Sequence, residues 1–450
     1  MVELEYLFKK LEIITPLGQK FLRNIEFLKS KDEINNEIIK LEKAIKAYEN
    51  KKDTIENIKL KLMNIKDISG TTERLKSGYI LDDIELFELK SFALTYEEIK
   101  KINPLDFLSF PTLNEVINIL DPDGNRLSTF YIYDSYSHEL SEIRKKRKKT
   151  DNEEEREQLY ELEMQIEDEI REELSKKLRT YASDIEQGLR DIAELDFTIA
   201  KAYFTKKFNL TKPEISETYE IKGMFNPVIK EKLEEEHKEY QPVDITLKPG
   251  VTLITGANMT GKTVILKTIA LLQNLFQYGF YIPAKSAKLY PVNKIFLISG
   301  DYQSLFSGLS SYAAEMLKIN EILKYIKTDE NALILLDELA RNTNPHEGKL
   351  IVKGVIEILN NKKSISLITT HFNNVADKGI RKLRIKGIKK EKLTENINPE
   401  NITEIIDYSL IEENEEIVPE EAITIARLLN IDKELLDTIE RIKKEETFHE

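Results

Sequence analysis

The sequence contains no cysteine and no tryptophan, and only 5 histidines among 450 residues. Without cysteine, a disulfide scaffold, an iron–sulfur site and a thiol nucleophile are excluded. So few imidazoles also speak against a His-rich metal centre. No apolar run reaches the roughly 18 residues a membrane helix needs, and the amino end, MVELEYLFKKLE, is charged. Neither a transmembrane helix nor a signal peptide is expected, nor a membrane partner, and the chain reads as cytoplasmic. Glycine is sparse before residue 215. What is present is 41% hydrophobic and 33% charged residues, enough apolar material for the cores of two or three domains. The net charge of −13 is uneven: residues 391–450 hold 18 acidic and 6 basic side chains, and the rest is near balance. That distribution neither favours nor excludes a DNA partner.

Residues 1–215 read as an all-α domain, with Leu, Ile, Glu and Lys recurring at spacings of three and four, as at Ile34, Ile38, Leu41 and Ile45. Breaks are expected at Ser69-Gly70, near Pro104 and at Asp121-Pro122-Asp123-Gly124. About residues 136–205 are expected to form a hairpin of two antiparallel helices turning near Asp151. Its basic run, Arg144–Lys149, is followed by Glu153, Glu154 and Glu155. The run reads either as a solvated hairpin neutralising itself or as a basic tip for a phosphate backbone. Beyond Pro213, short β-branched runs alternate with helical stretches. Val251–Thr255, Ile295–Ser299, Ala332–Leu336 and Ser364–Thr370 are the expected strands of a mostly parallel α/β sheet over about 216–390. Residues 391–450 read as an acidic tail with a helical pair near Pro419–Asn430 and Lys433–Lys444.

Four motifs carry chemistry. Gly256-Ala257-Asn258-Met259-Thr260-Gly261-Lys262-Thr263 is a phosphate-loop pattern, preceded by the strand VTLIT and followed by an apolar helical run. Its glycines let backbone N–H groups face phosphate oxygens at a helix N-terminus. Lys262 is then the cation for the β and γ phosphates, and the Thr263 hydroxyl a Mg²⁺ ligand. The run Ala332–Leu336 delivers Asp337 and Glu338 to the carboxyl end of the sheet. Asp337 suits the Mg²⁺ water shell, and Glu338 suits orienting or deprotonating an attacking water. A third strand ends at His371, a candidate γ-phosphate sensor. Finally, Ser307–Met316 is a small-residue loop opening a helix. Ser310 or Ser311 caps that helix when read alone, and Ser310 is a candidate contact to a second nucleotide.

In order and content these motifs resemble the MutS ATPases, a branch of the ABC-type ATPases. ITGANMTGKT is similar to that family's phosphate loop, SSYAAEM to its signature, LLDELARNTNPHEG to its acidic strand and following turn, and TTH to its histidine switch. Tyr240, in YQPVDITL, falls where the family has an adenine-stacking aromatic, and Ile14–Leu22 resembles the opening of its helical core. Against the family pattern, Ala257 stands for Pro, Thr260 and Asn342 for Gly, and Glu347 for Asp. The resemblance implies an α/β P-loop (ABC/MutS-type) ATPase domain, preceded by an all-α core/lever domain and followed by a C-terminal helical dimerisation segment. It implies ATP and Mg²⁺, with Lys262, Thr263, Asp337, Glu338 and His371 acting in cis and Ser310 in trans, in a homodimer or a heterodimer with a related subunit. A short form is expected, without mismatch-reading and connector domains and without a nuclease tail. Two readings of the client stay open. One is a DNA-associated clamp; the other is a protein-remodelling ATPase, resembling those that reactivate a B12-dependent lysine 5,6-aminomutase.

Overall fold

A computed structural model of the chain describes residues 2–256, 260–300, 311–341, 343–372, 375, 379–389, 402–413, 421–429 and 431–447. The chain divides into two compact units. One comprises residues 9–26 and 39–207, the other residues 1–8, 27–38 and 208–450. The amino-terminal helix and residues 27–38 therefore group with the α/β part, which departs from the expected single boundary at 215.

The amino-terminal part consists of α1 (Val2–Lys9), α2 (Pro16–Arg23), α3 (Lys31–Asn50), α4 (Lys52–Leu62), α5 (Ser69–Lys76), α6 (Asp83–Ile102), α7 (Asn114–Leu120), α8 (His138–Lys149), α9 (Glu153–Arg179) and α10 (Ala182–Lys207). Ser69-Gly70, expected as a break, instead opens α5, because the Asp67 carboxylate accepts the Ser69 N–H at 2.9 Å and stands in for a cap. The expected two-helix hairpin is three helices. The α8–α9 turn at 150–152 has Asn152 as N-cap of α9, and a second break falls at Thr180 before α10. α6 begins with a full capping box, Asp82 with Glu85.

Within the helical unit, α10 is buried along most of its length and carries two buried carboxylates. Asp196 accepts the N–H of Ile14 and Thr15 and the Thr15 hydroxyl, at 2.7–3.1 Å, which pins the start of α2. Asp191 accepts the Phe110 N–H at 3.0 Å and the Ser109 hydroxyl at 3.2 Å. Burial pushes the Asp196 carboxyl above its ordinary range, against the opposing effect of those donors. Lys90 of α6 is wholly buried and donates to Asp121 Oδ1 (2.9 Å), Tyr133 Oη (2.9 Å) and the Thr129 carbonyl (3.1 Å).

The α/β unit continues with β1 (Glu214–Ile215), β2 (Tyr219–Met224), α11 (Pro227–Glu235), β3 (Val243–Leu247), β4 (Gly250–Thr255), α12 (Lys262–Gln277), β5 (Ser286–Leu289), β6 (Lys294–Ile298), α13 (Ser311–Tyr325), β7 (Ala332–Leu336), α14 (Pro345–Asn360), β8 (Ile365–Thr369), β9 (Arg381–Ile388), β10 (Ile406–Glu412), α15 (Glu421–Leu428) and α16 (Lys433–Thr447). β1, β5, β2 and β3 form one small sheet. The main sheet has the order β10-β9-β4-β8-β7-β6, parallel throughout except for the antiparallel edge strand β10. Thus part of the expected acidic tail, Ile406–Glu412, is sheet: Ile406 and Asp407, then Leu410 to Glu412, pair with β9 on either side of a register shift. The expected end of the α/β domain at 390 falls between two paired strands. α13 and α14 cover one face of the sheet, packing Ala314, Ile319, Val352 and Ile356 on Ile334, Leu336 and Ile368. Leu333 and Leu335 alternate with these and are equally buried, which is why β7 reads as an unbroken apolar run. Among the described residues, no helix is long and apolar enough to cross a membrane.

Candidate functional site

The site forms at the carboxyl ends of β4, β8 and β7, which are neighbours in the sheet. β4 ends at Thr255, and Gly256 follows with φ +144°. Gly261 then caps α12 at φ +88°. A side chain there would strain the backbone and bring a Cβ to 3.2 Å from the Tyr408 ring. Lys262, the first residue of α12, is 4% exposed. Its ammonium donates to the Gly256 carbonyl at 2.6 Å and lies 4.0 Å from Glu338 Oε1. The loop is thus closed by its own cation, on the end of a helix whose first N–H groups lack intrahelical partners.

Thr263, one residue on, donates its hydroxyl to Asp337 Oδ2 at 2.6 Å. The other Asp337 oxygen accepts the Thr369 hydroxyl at 2.7 Å, and the Thr369 oxygen accepts the Glu338 N–H at 2.8 Å. Thr369 therefore ties β8 to both acidic residues. It was not singled out as a site residue in the sequence, because its role depends on β8 lying beside β7, a register that composition does not encode. Glu338 and Ala340 sit at φ +47° and +59°, left-handed values that a side chain rarely adopts. Glu338 Oε2 pairs with Arg341 at 2.7 Å. Glu338 thus stands at the edge of the phosphate loop between two cations. His371 lies two residues past β8, its ring 4.2 Å from that of Phe372. Partial burial lowers its pKa, Lys262 and Arg341 push the same way, and Glu338 opposes them.

Beside the loop is an apolar cavity of about 260 Å³ lined by Met224, Ile229, Tyr240, Val264, Thr268 and Tyr408. Tyr240 accepts the Asn226 N–H at 3.1 Å, which fixes its ring. Tyr408 comes from β10. Gln241 holds its backbone, accepting the Tyr408 N–H at 3.3 Å while donating to Asp407 (2.8 Å) and Ser409 (3.1 Å). Burial works against the Asp407 charge, yet hydrogen bonds from Gln241, Ser409 and Lys386 hold its carboxyl far below the usual range. Tyr408 was not predicted, although the alternation Ile406, Tyr408, Leu410 is a strand signal that could have found it.

Gly256, Thr260, Gly261, Lys262, Thr263, Asp337, Glu338 and His371 are thus brought to one sheet edge, with Tyr240 in the adjoining cavity. Ala257, Asn258, Met259 and Ser310 lie outside the described residues. Three of the six cations of the basic run Arg144–Lys149 are paired within the helical unit. Arg144 pairs with Asp134, Glu163 and Glu167, Arg147 with Glu163, and Lys145 with Glu142.

The residues fit Mg²⁺ and ATP. A hydroxyl and a carboxylate 2.6 Å apart beside a phosphate loop supply the hard oxygen pair that Mg²⁺ takes when phosphates and water complete its shell. Among the described residues no cluster of three or more His, Cys, Asp and Glu could hold a metal by itself.

Residues 252–445 match the MutS domain V family. The protein called endonuclease MutS2 in Caldicellulosiruptor saccharolyticus is 36% identical over 211 residues, covering 46% of this chain and 26% of that protein. In Clostridium botulinum the protein of that name is 32% identical over 231 residues, 50% of this chain and 28% of its own length. That of Ligilactobacillus salivarius is 34% identical over 211 residues, 45% and 25% respectively. The matched stretch spans about a quarter of each relative. Phosphate loop, acidic strand end and family match coincide in one place: over residues 252–445 the chain carries a MutS domain V, the ATPase domain of the MutS family.

Proposed function

We propose that this chain is a dimeric, ATP-hydrolysing switch of the MutS type. The observation that carries the reading is the hydrogen-bonded chain Thr263–Asp337–Thr369–Glu338 at the rim of the phosphate loop. Lys262 and the α12 N-terminus bind the β and γ phosphates, and Thr263 and Asp337 hold Mg²⁺. Bound Mg²⁺ supplies positive charge to the phosphate oxygens and lowers the cost of the charge that builds there. Glu338 orients the attacking water and accepts its proton, and His371 contacts the γ-phosphate as a neutral donor. Tyr240 and Tyr408 hold the adenine. We expect Tyr408→Ala to weaken ATP binding about ten-fold, from the ~1–3 kcal/mol of base–aromatic stacking, with little change in turnover at saturating ATP. Titration with a fluorescent ATP analogue checks this.

Ser310 is proposed to act in trans on a partner's nucleotide. Pairing through α15 and α16 is supported by the exposed apolar residues Ile431, Leu435 and Ile442 of this segment. Leu435 and Ile442 are seven residues apart on one face of α16. ATP binding then joins the two ATPase domains, hydrolysis separates them, and the helical unit passes the change to a client.

Two clients remain in view. The DNA reading rests on Lys146, Lys148 and Lys149, exposed at the α8 end. The protein-client reading, for which reactivation of a B12-dependent lysine 5,6-aminomutase is the proposed instance, is favoured by the neutralisation of Arg144 and Arg147 within the hairpin. Steady-state ATPase rates with duplex, mismatched and branched DNA at two salt concentrations separate them. Stimulation that falls steeply with salt means phosphate contacts and a DNA clamp. A rate indifferent to every DNA leaves the protein client.

A further inference from the structure

We infer that Glu315 is a positioning residue for hydrolysis, holding the turn that carries Glu338. The inference rests on the proposed ATPase reading and goes one residue deeper into the same site. Glu315 lies in the second turn of α13, is 6% exposed, and accepts the Ala340 N–H at 3.2 Å. Ala340 is wholly buried and sits two residues past Glu338, in a turn with two non-glycine residues at left-handed φ. Such a turn persists only where its surroundings over-determine it. Its hydrogen bonds name those surroundings. Thr369 accepts the Glu338 N–H, the Glu338 carbonyl accepts the Arg341 N–H at 3.2 Å, and Glu315 accepts the Ala340 N–H. Without the last contact a buried N–H is orphaned and the turn is free to relax toward ordinary φ values, which swings the Glu338 carboxylate away from the phosphate loop.

A buried carboxylate that only filled space would cost its desolvation without return. Burial pushes the Glu315 carboxyl above its ordinary range, with the Ala340 N–H opposing that effect. A neutral amide of the same shape keeps an oxygen for Ala340, so glutamine is the natural substitute. Glu315 also stands one helical turn after Ser311.

The test compares wild type, Glu315→Ala, Glu315→Gln, Glu338→Gln and the double variant Glu315→Ala/Glu338→Gln, all as the full chain. It measures kcat, KM, affinity for a fluorescent ATP analogue, and melting temperature. Loss of one positioning hydrogen bond is expected to lower kcat about ten-fold in Glu315→Ala, with analogue affinity unchanged. Glu315→Gln is expected to restore kcat to within about three-fold of wild type. The double variant should be no slower than Glu338→Gln, because a displaced group that is already inert costs nothing more. Wild-type kcat in Glu315→Ala overturns the inference. So does an additive loss in the double variant, or a glutamine variant as slow and as unstable as the alanine one, since each makes Glu315 packing alone. If instead wild type binds no analogue or hydrolyses no ATP, the ATPase reading has failed; if Glu338→Gln turns over normally, only the role given to Glu338, and with it this inference, has failed.

Discussion

Glu338→Gln is expected to lower kcat by about 10²–10⁴-fold while ATP affinity stays within a few-fold of wild type, the range assigned to removal of a general base. The amide matches the carboxylate in shape, so the turn is kept: its hydrogen bonds to Thr369 and Arg341 run through the Glu338 backbone. What is lost is the proton acceptor. The ion pair to Arg341 also goes, but Arg341 is 63% exposed at its side chain, where such pairs contribute little. Lys262, 4.0 Å from the same carboxylate, keeps its phosphate role. Single-turnover hydrolysis and equilibrium binding, measured on the same preparation, separate the two effects. A near-normal single-turnover rate would remove Glu338 from the chemistry.

The second large effect concerns stability. Asp121→Ala is expected to destabilise the helical unit by about 3–5 kcal/mol, because it leaves the wholly buried Lys90 ammonium without its counter-charge. Tyr133 and the Thr129 carbonyl still accept from Lys90, but neither carries charge. Replacing both partners by apolar residues, Lys90→Met with Asp121→Leu, should recover most of that loss, since nothing ionised then stays buried. Urea unfolding followed by circular dichroism reads this as the earliest of two transitions, two units being present. Equal losses in the single and double variants would mean that packing, not charge, governs the site. The pair has a pH signature. Burial opposes the Asp121 charge, but the Lys90 ammonium and the Arg126 N–H hold its carboxyl below the ordinary value of 3.8. A lowered folded-state pKa means that the unfolded chain binds the proton more readily. The stabilisation is therefore present above pH 3.8 and fades as pH falls through the lowered value.

The phosphate loop could be read before any fold was known, because G-x-x-x-x-G-K-T requires backbone, cation and hydroxyl within eight consecutive residues. Asp337 and Glu338 were legible for a related reason. Five apolar residues ending in two carboxylates make a buried strand, and a strand end is where an α/β sheet exposes its chemistry. Thr369, Tyr408 and Glu315 were not legible as site residues. Each acts on a residue distant in the chain: Thr369 on Asp337 and Glu338, Tyr408 on the loop glycine Gly261, Glu315 on Ala340. The charge of residues 391–450 pointed to a tail and hid β10, whose one buried edge is satisfied by β9 rather than by its own composition.

By itself the sequence determined the local chemistry: the glycine loop, the apolar strands and the carboxylates that follow them. These depend on interactions across a few residues, which spacing alone expresses. Only the tertiary structure decided the strand order β10-β9-β4-β8-β7-β6, and with it which side chains meet. Neighbouring strands are chosen by summed packing over whole faces, and the resulting contacts join residues 25 to more than 140 positions apart. That same collective packing holds Glu338 and Ala340 at left-handed φ, a conformation their own side chains disfavour.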